Sequence, residues 1–240
     1  IVAFRSYFQN KDYVLLALAF FFITDFIARD LGQIRNAVGA SLLCISFMLY
    51  CKRGYPWYVF LLPLLGHVSY ASVLVVIFIY EKFNPRLRYF FMISGFVLSY
   101  FVLKYLSTQL TGVGGAGLYF KLIAYSSGYK HYQNVYPITL PIAMVALIAS
   151  FCLRHRSDIF KLYIWIFTIA ICSFFVFKQF PIISSRVYSV FTPLLAFALC
   201  DALSYGVKTT QIRSILYFFM IAGAIVVYAI RIYNFHILHG

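Results

Sequence analysis

Two arginines and one histidine stand where their chemistry needs a reason. Arg35 follows Gln33 and opens a smooth apolar run, and Arg186 follows Ser184 and Ser185 and precedes Tyr188 and another such run. Each is expected at a helix N-terminus, where free backbone N–H groups and the helix dipole favour an anion and a guanidinium adds a forked, permanently charged donor suited to phosphate. Lipid headgroup contact, or a simple boundary charge, is the competing reading for each. His67 is the only histidine inside an apolar run, beside Gly66 and ahead of Ser69 and Ser72. An imidazole there is either a buried group bonded to a neighbouring helix or a general acid or base.

Asp25 and Asp201 are the only acids inside apolar runs. Asp25 stands four residues before Arg29, a spacing that puts both on one helix face as an ion pair. Ionisable groups at membrane depth usually face an interior cavity, so both positions are also candidates for the site. Lys104 and Lys178 lie at segment ends, where snorkelling to the interface accounts for them. Lys121 and Tyr125 fall one turn apart in the Gly- and Tyr-rich connection 107–136, whose middle reads as a short amphipathic helix. A connection this long is more often functional than idle.

Other chemistries find no support. His131, His155, His236 and His239 lack ligand spacing, the glycines at 112, 114 and 115 are followed by no G-K-[ST], and no paired carboxylates are present. No metal or other cofactor is therefore expected. The five cysteines form no C-x-x-C pair and read as small buried hydrophobes.

The elements that must position these residues belong to a membrane. The 240 residues are 63% hydrophobic, 21% aromatic and 11% charged, against about 25% charged in a soluble domain. The net charge of +14 is scattered in ones, twos and threes between apolar runs, which fits a positive-inside membrane protein and not a nucleic-acid binder. Eight runs can be bracketed: 13–28, 36–50, 57–80, 89–106, 137–153, 162–180, 187–205 and 212–232. A span needs about 20 residues, and continuous runs without period-two alternation exclude a barrel. The fold class is thus an all-α polytopic membrane protein, a bundle of about eight hydrophobic segments in one transmembrane domain over 1–240, with an extracytoplasmic loop at 107–136. The chain opens on Ile1 with neither a signal peptide nor a complete span, so further N-terminal helices are expected before it.

Charge assigns the sides. Lys52 and Arg53, then Lys82, Arg86 and Arg88, then Arg154, Arg156 and Lys161, then Lys208 and Arg213 form four compact basic clusters. All four can be cytoplasmic only if the third run, 57–80, is broken or re-entrant at Pro63 to His67; the alternative is a plain span with a proline kink. On the first arrangement Arg29, Arg35, the long loop, Lys178 and Arg186 face the other side.

Taken in order, four stretches resemble a known family. They are Gly32-Gln33-Ile34-Arg35-Asn36-Ala37-Val38-Gly39, then Leu65-Gly66-His67-Val68-Ser69, then Lys121-Leu122-Ile123-Ala124-Tyr125, then Ser185-Arg186-Val187-Tyr188. Together they are similar to the Wzy-type polysaccharide polymerases, in particular the EpsG-like branch. Here Val38-Gly39 stands where that branch usually has Ile-Ala.

The resemblance implies polymerisation of undecaprenyl-diphosphate-linked oligosaccharide repeats on the outer face of the bacterial inner membrane, by metal-independent glycosyl transfer. Arg35, His67 and Arg186 would then be the catalytic set. The two arginines would hold the diphosphate, and His67 would act on the acceptor proton or the leaving oxygen. Lys121, Tyr125, Arg29, Asp25 and Tyr188 would contact substrate, with Asp25 or Asp201 orienting His67 or replacing it as base. The implied partners are the lipid-linked glycan, membrane lipids and a chain-length regulator protein, with no nucleic acid. A lipid-linked glycan flippase, an O-antigen ligase and a membrane O-acyltransferase are the competing functions.

Overall fold

Caps and prolines, more than hydropathy, fix where the helices begin. The computed structural model describes residues 1–21, 34–109, 139–178 and 180–206, and every regular element among them is helical. In chain order these are α1 (Val2–Tyr7), α2 (Lys11–Phe21), α3 (Ile34–Arg53), α4 (Ala71–Lys82), α5 (Pro85–Gln109), α6 (Thr139–Leu153), α7 (Asp158–Val176), α8 (Pro181–Ser189) and α9 (Leu195–Gly206). Shorter 3₁₀ stretches occupy Trp57–Leu65, Val68–Tyr70 and Thr192–Leu194. Ser157 accepts the Ile159 N–H at 3.4 Å, so α7 starts at Asp158, ahead of the apolar run at Leu162. Asn84 accepts the Leu87 N–H at 3.0 Å and Pro85 opens α5, again ahead of its apolar run. Gly54 ends α3 with φ of 66°, a left-handed conformation that costs glycine little.

Among the described residues, three helical stretches are long and apolar enough to cross a membrane: Pro85–Tyr105, Asp158–Val176 and Ile183–Gly206. Their burial differs sharply, at 0%, 56% and 78% of the apolar window, so α5 is an outer helix while α7 and α9 form the centre. The ring of Phe197 on α9 gathers that centre, with Phe4 at 4.7 Å, Tyr7 at 4.9 Å and Phe47 at 5.1 Å. Helix α1, which hydropathy does not single out, is thereby part of the core, with Phe4 and Tyr7 buried. The last apolar run, 212–232, lies outside the described residues.

The run 57–80 is not one helix. Trp57–Leu65 is a 3₁₀ helix containing Pro63, Gly66 closes it, and His67 is extended at φ −160° and ψ 136° before the chain turns into Val68–Tyr70 and α4. The two arms return beside each other. The Trp57 N–H donates to Glu81 Oε2 at 3.2 Å, and the Trp57 ring lies 4.8 Å from that of Phe78. Nine 3₁₀ residues rise about 18 Å at ~2.0 Å each, and the twelve of α4 rise about 18 Å at ~1.5 Å each, so the arms match in length. Pro63 has no N–H to offer its own ladder, and the Ser46 hydroxyl of α3 donates to the Val59 carbonyl at 3.0 Å, which fastens this arm to α3.

The tip of this hairpin is pinned to the start of α3. Tyr70 is fully buried and its hydroxyl donates to the Asn36 carbonyl at 3.3 Å. A Cβ at Gly39 would fall inside the Tyr70 ring, which explains why glycine replaces alanine in the Val38-Gly39 pair. The run 187–205 is also not the smooth helix expected from hydropathy. Pro181 starts α8 earlier, and the Thr192-Pro193-Leu194 turn separates α8 from α9.

Gly39→Ala should therefore destabilise the protein by about 1–3 kcal/mol through overpacking against a ring that has no room to move. Thermal unfolding of the purified protein in detergent measures this. The Gly39→Ala/Tyr70→Leu double variant should lose less than the sum of its two single changes.

Candidate functional site

The helices divide the molecule into two chemically different ends. At the first, three of the basic clusters come together. Two cavities open there, of about 550 and 490 Å³, and both are lined by Cys51, Ser157 and Ile159. The larger adds Glu81 and the smaller adds Asn10, Lys52, Asp201 and Ser204, which places the ends of α3, α4 and α9 and the starts of α2 and α7 at one level. Arg88 stacks over the Tyr80 ring at 4.1 Å, and Lys161 pairs with Asp158 at 2.7 Å on the exposed surface.

Asp201 belongs to this end, and its surroundings are structural. Its Oδ2 accepts from the hydroxyls of Tyr7 and Tyr163, each at 2.7 Å, and Lys52 Nζ lies 4.8 Å from the centre of the Tyr7 ring. One carboxylate oxygen thus ties α1, α7 and α9 together. It cannot orient His67. From Asn36, which the hairpin tip touches, to Cys51, which shares a cavity wall with Asp201, α3 rises about 22 Å at ~1.5 Å per residue. The expectation that Asp201 orients His67 or replaces it as base is corrected by that separation.

The opposite end holds the arginine and histidine candidates. Arg35 lies in the first described turn of α3, next to the Asn36 carbonyl that Tyr70 binds. His67 stands at the apex of the hairpin, half-buried, as the N-cap of Val68–Tyr70. Its Nδ1 accepts the Ser69 N–H at 3.1 Å and lies 2.8 Å from Ser69 Oγ, while Ser72 Oγ donates to the Ser69 carbonyl at 2.9 Å. Helix α7 runs from the basic end to Val176, and the Ser184 hydroxyl of α8 donates to the Phe174 carbonyl at 2.8 Å. Arg186, exposed two residues further on, is consequently at the same end as Arg35 and His67.

Two expectations change here. Arg186 is not at a helix N-terminus: Pro181 starts α8 early enough that Arg186 falls in its last turn, so the helix dipole there does not favour an anion and the guanidinium must act by its own charge. Tyr188 is a core residue, 1% exposed with its ring 5.8 Å from Phe174, and it holds α8 against α7 without presenting a face to a substrate. Asp25, Arg29, Lys121 and Tyr125 lie outside the described residues. Sequence reasoning overlooked Tyr7 altogether and read Ser69 only as a neighbour. The signal for Ser69 was its place two residues after a Gly-His pair; nothing local marks Tyr7, whose partner is 194 residues away.

Comparison with known families decides the kinship. A model of the EpsG family matches residues 1–239. The chain belongs to the EpsG family. Searches of curated proteins and of solved structures return no match. Membership makes it a membrane protein of the polysaccharide-polymerase type, tied to polysaccharide biosynthesis and of glycosyltransferase-like character.

Asp201→Ala should strand two buried tyrosine hydroxyls at about 1–3 kcal/mol each and lower the amount of folded protein, whereas Asp201→Asn keeps an acceptor oxygen and should be much milder. Thermal unfolding and expression level test this. Polysaccharide output per folded molecule should be unchanged in Asp201→Asn, since the carboxylate is remote from His67.

Proposed function

We propose that this EpsG-family protein polymerises undecaprenyl-diphosphate-linked oligosaccharide repeat units on the outer face of the bacterial inner membrane. The observation that carries the reading is that the Arg35 turn, the His67 hairpin tip and Arg186, far apart in sequence, share the end of the bundle opposite the basic turns. In this reading the basic end is cytoplasmic by the positive-inside bias, and the Trp57–Lys82 hairpin is re-entrant. Its arms of about 18 Å fall short of a hydrocarbon core ~30 Å thick, so its tip sits within the outer half of the bilayer, where irregular backbone is tolerated only against protein or a wet cavity.

The reaction makes a bond from an acceptor hydroxyl oxygen to an anomeric carbon and breaks the bond from that carbon to the lipid diphosphate. Its barrier is dominated by charge growing on the diphosphate oxygens and by the acceptor proton. Arg35 and Arg186 supply permanent forked donors for the diphosphate. His67 stands at the reacting centre, and Lys121, Tyr125 and the rest of the 107–136 loop receive the sugars. Asp25 and Arg29 are assigned to substrate contact by the family resemblance alone. Membrane lipids surround the bundle, and a chain-length regulator would act on the growing glycan.

The test is the surface polysaccharide profile of cells carrying the full-length protein with Arg35→Ala, His67→Ala or Arg186→Ala. Each change should cut polymer by about a hundredfold or more, on the scale of losing one transition-state donor, and leave single repeats in place of a ladder. Absence of capped acceptor altogether would indicate a ligase, and cytoplasmic accumulation of the linked unit a flippase. Normal ladders in all three variants would refute the assignment.

A further inference from the structure

We propose that His67 works as a hydrogen-bond donor through Nε2 and that Ser69 is the positioning residue that makes it one. This rests on the polymerase reading above and adds which proton the ring holds and what role follows. A backbone N–H can only donate, so the Ser69 N–H at 3.1 Å from Nδ1 requires that ring atom to be an acceptor. With Nδ1 as acceptor, the Ser69 hydroxyl 2.8 Å away is its donor as well, the hydroxyl and the N–H sharing the one lone pair. A neutral imidazole carries one N–H, so with Nδ1 accepting, the proton is on Nε2.

The arrangement is built by the fold at this point. His67 is the N-cap of Val68–Tyr70, the position whose side chain normally accepts from the second or third residue of a helix. The turn is held in turn by Tyr70 N–H to the His67 carbonyl at 3.1 Å and by Ser72 Oγ to the Ser69 carbonyl at 2.9 Å. A base at Nε2 would need the other tautomer, which places an N–H at Nδ1 against the Ser69 N–H and breaks the cap. Nε2–H instead suits an oxygen on which negative charge is growing.

The step is then as follows. The acceptor hydroxyl oxygen bonds to the anomeric carbon as the carbon–oxygen bond to the diphosphate breaks, its electron pair staying on the departing phosphate oxygen. Nε2–H donates a hydrogen bond to that oxygen without giving up its proton. The acceptor proton passes to the diphosphate, which leaves with it.

The first test does not depend on activity. The full-length protein with ¹⁵N-labelled histidine, in lipid nanodiscs, should give for His67 an unprotonated Nδ1 and a protonated Nε2, assigned by loss of those signals in His67→Gln. A protonated Nδ1 in the wild type would overturn the proposal while leaving the polymerase reading intact. The second test is polymer formation. His67→Gln, whose amide N–H reaches the place of Nε2–H, should retain about a tenth or more of wild-type turnover, while His67→Asn and His67→Ala fall about a hundredfold. Glutamine as inactive as alanine would overturn it. Ser69→Ala keeps the backbone N–H that fixes Nδ1 as the acceptor and loses only the hydroxyl, so it should keep the wild-type tautomer, move the Nδ1 signal and lower turnover several-fold with KM unchanged, and Ser69→Thr should restore both; an unmoved Nδ1 signal with wild-type turnover in Ser69→Ala would also count against it.

Discussion

A chain that turns round in an apolar medium must have its own N–H and C=O groups answered by protein, because no water is there to answer them. On the proposed re-entrant topology, the hairpin from Trp57 to Lys82 is where this constraint bites. Its ascending arm carries Pro63, which has no N–H, and the Ser46 hydroxyl of α3 bonds the Val59 carbonyl on that arm. At the base, Trp57 N–H and Glu81 close the two arms together, and at the tip Tyr70 fastens the turn to the Asn36 carbonyl. Each of those bonds joins the hairpin to a neighbour or to its own other arm. Without them the shape would revert to a plain helix or come apart.

The same economy separates stability from chemistry. Asp201, with Tyr7 and Tyr163 donating into one oxygen, locks α1, α7 and α9 at the basic end. The opposite end holds exposed Arg186 on a short helix and half-buried His67 at the apex, beside the first described turn of α3. A buried carboxylate whose Oδ2 takes two hydroxyl bonds makes a firm anchor, since losing it would strand both tyrosines.

Much of the candidate site was legible as residue types. Arg35, His67 and Arg186 could be chosen because a charge or an imidazole at the edge or the middle of an apolar run is costly and therefore purposeful. Their local settings were legible only in part. Arg186 looked like a helix-starting residue because hydropathy begins its run at Val187, but Pro181 moves the helix start back and puts Arg186 in the last turn. Tyr188 looked available because tyrosines often meet sugars, yet it packs on Phe174. Hydropathy averages over a window and cannot see a proline's missing donor or a capping side chain, which act on single bonds.

What the sequence determined alone follows from terms that are local and additive along the chain. Apolar run length specified an all-helical membrane protein, lone polar groups inside the runs marked the chemical candidates, and the ordered short motifs pointed to the EpsG-type family that the match over residues 1–239 establishes. Tertiary structure alone decided that the third run reverses at Gly66 and His67, that Nδ1 of His67 is committed to Ser69, and that Asp201 faces Tyr7 instead of the histidine. Each of these turns on which oxygen or nitrogen meets which donor in three dimensions. No periodicity encodes a bond between residues 7 and 201; only packing the helices brings its two atoms within reach.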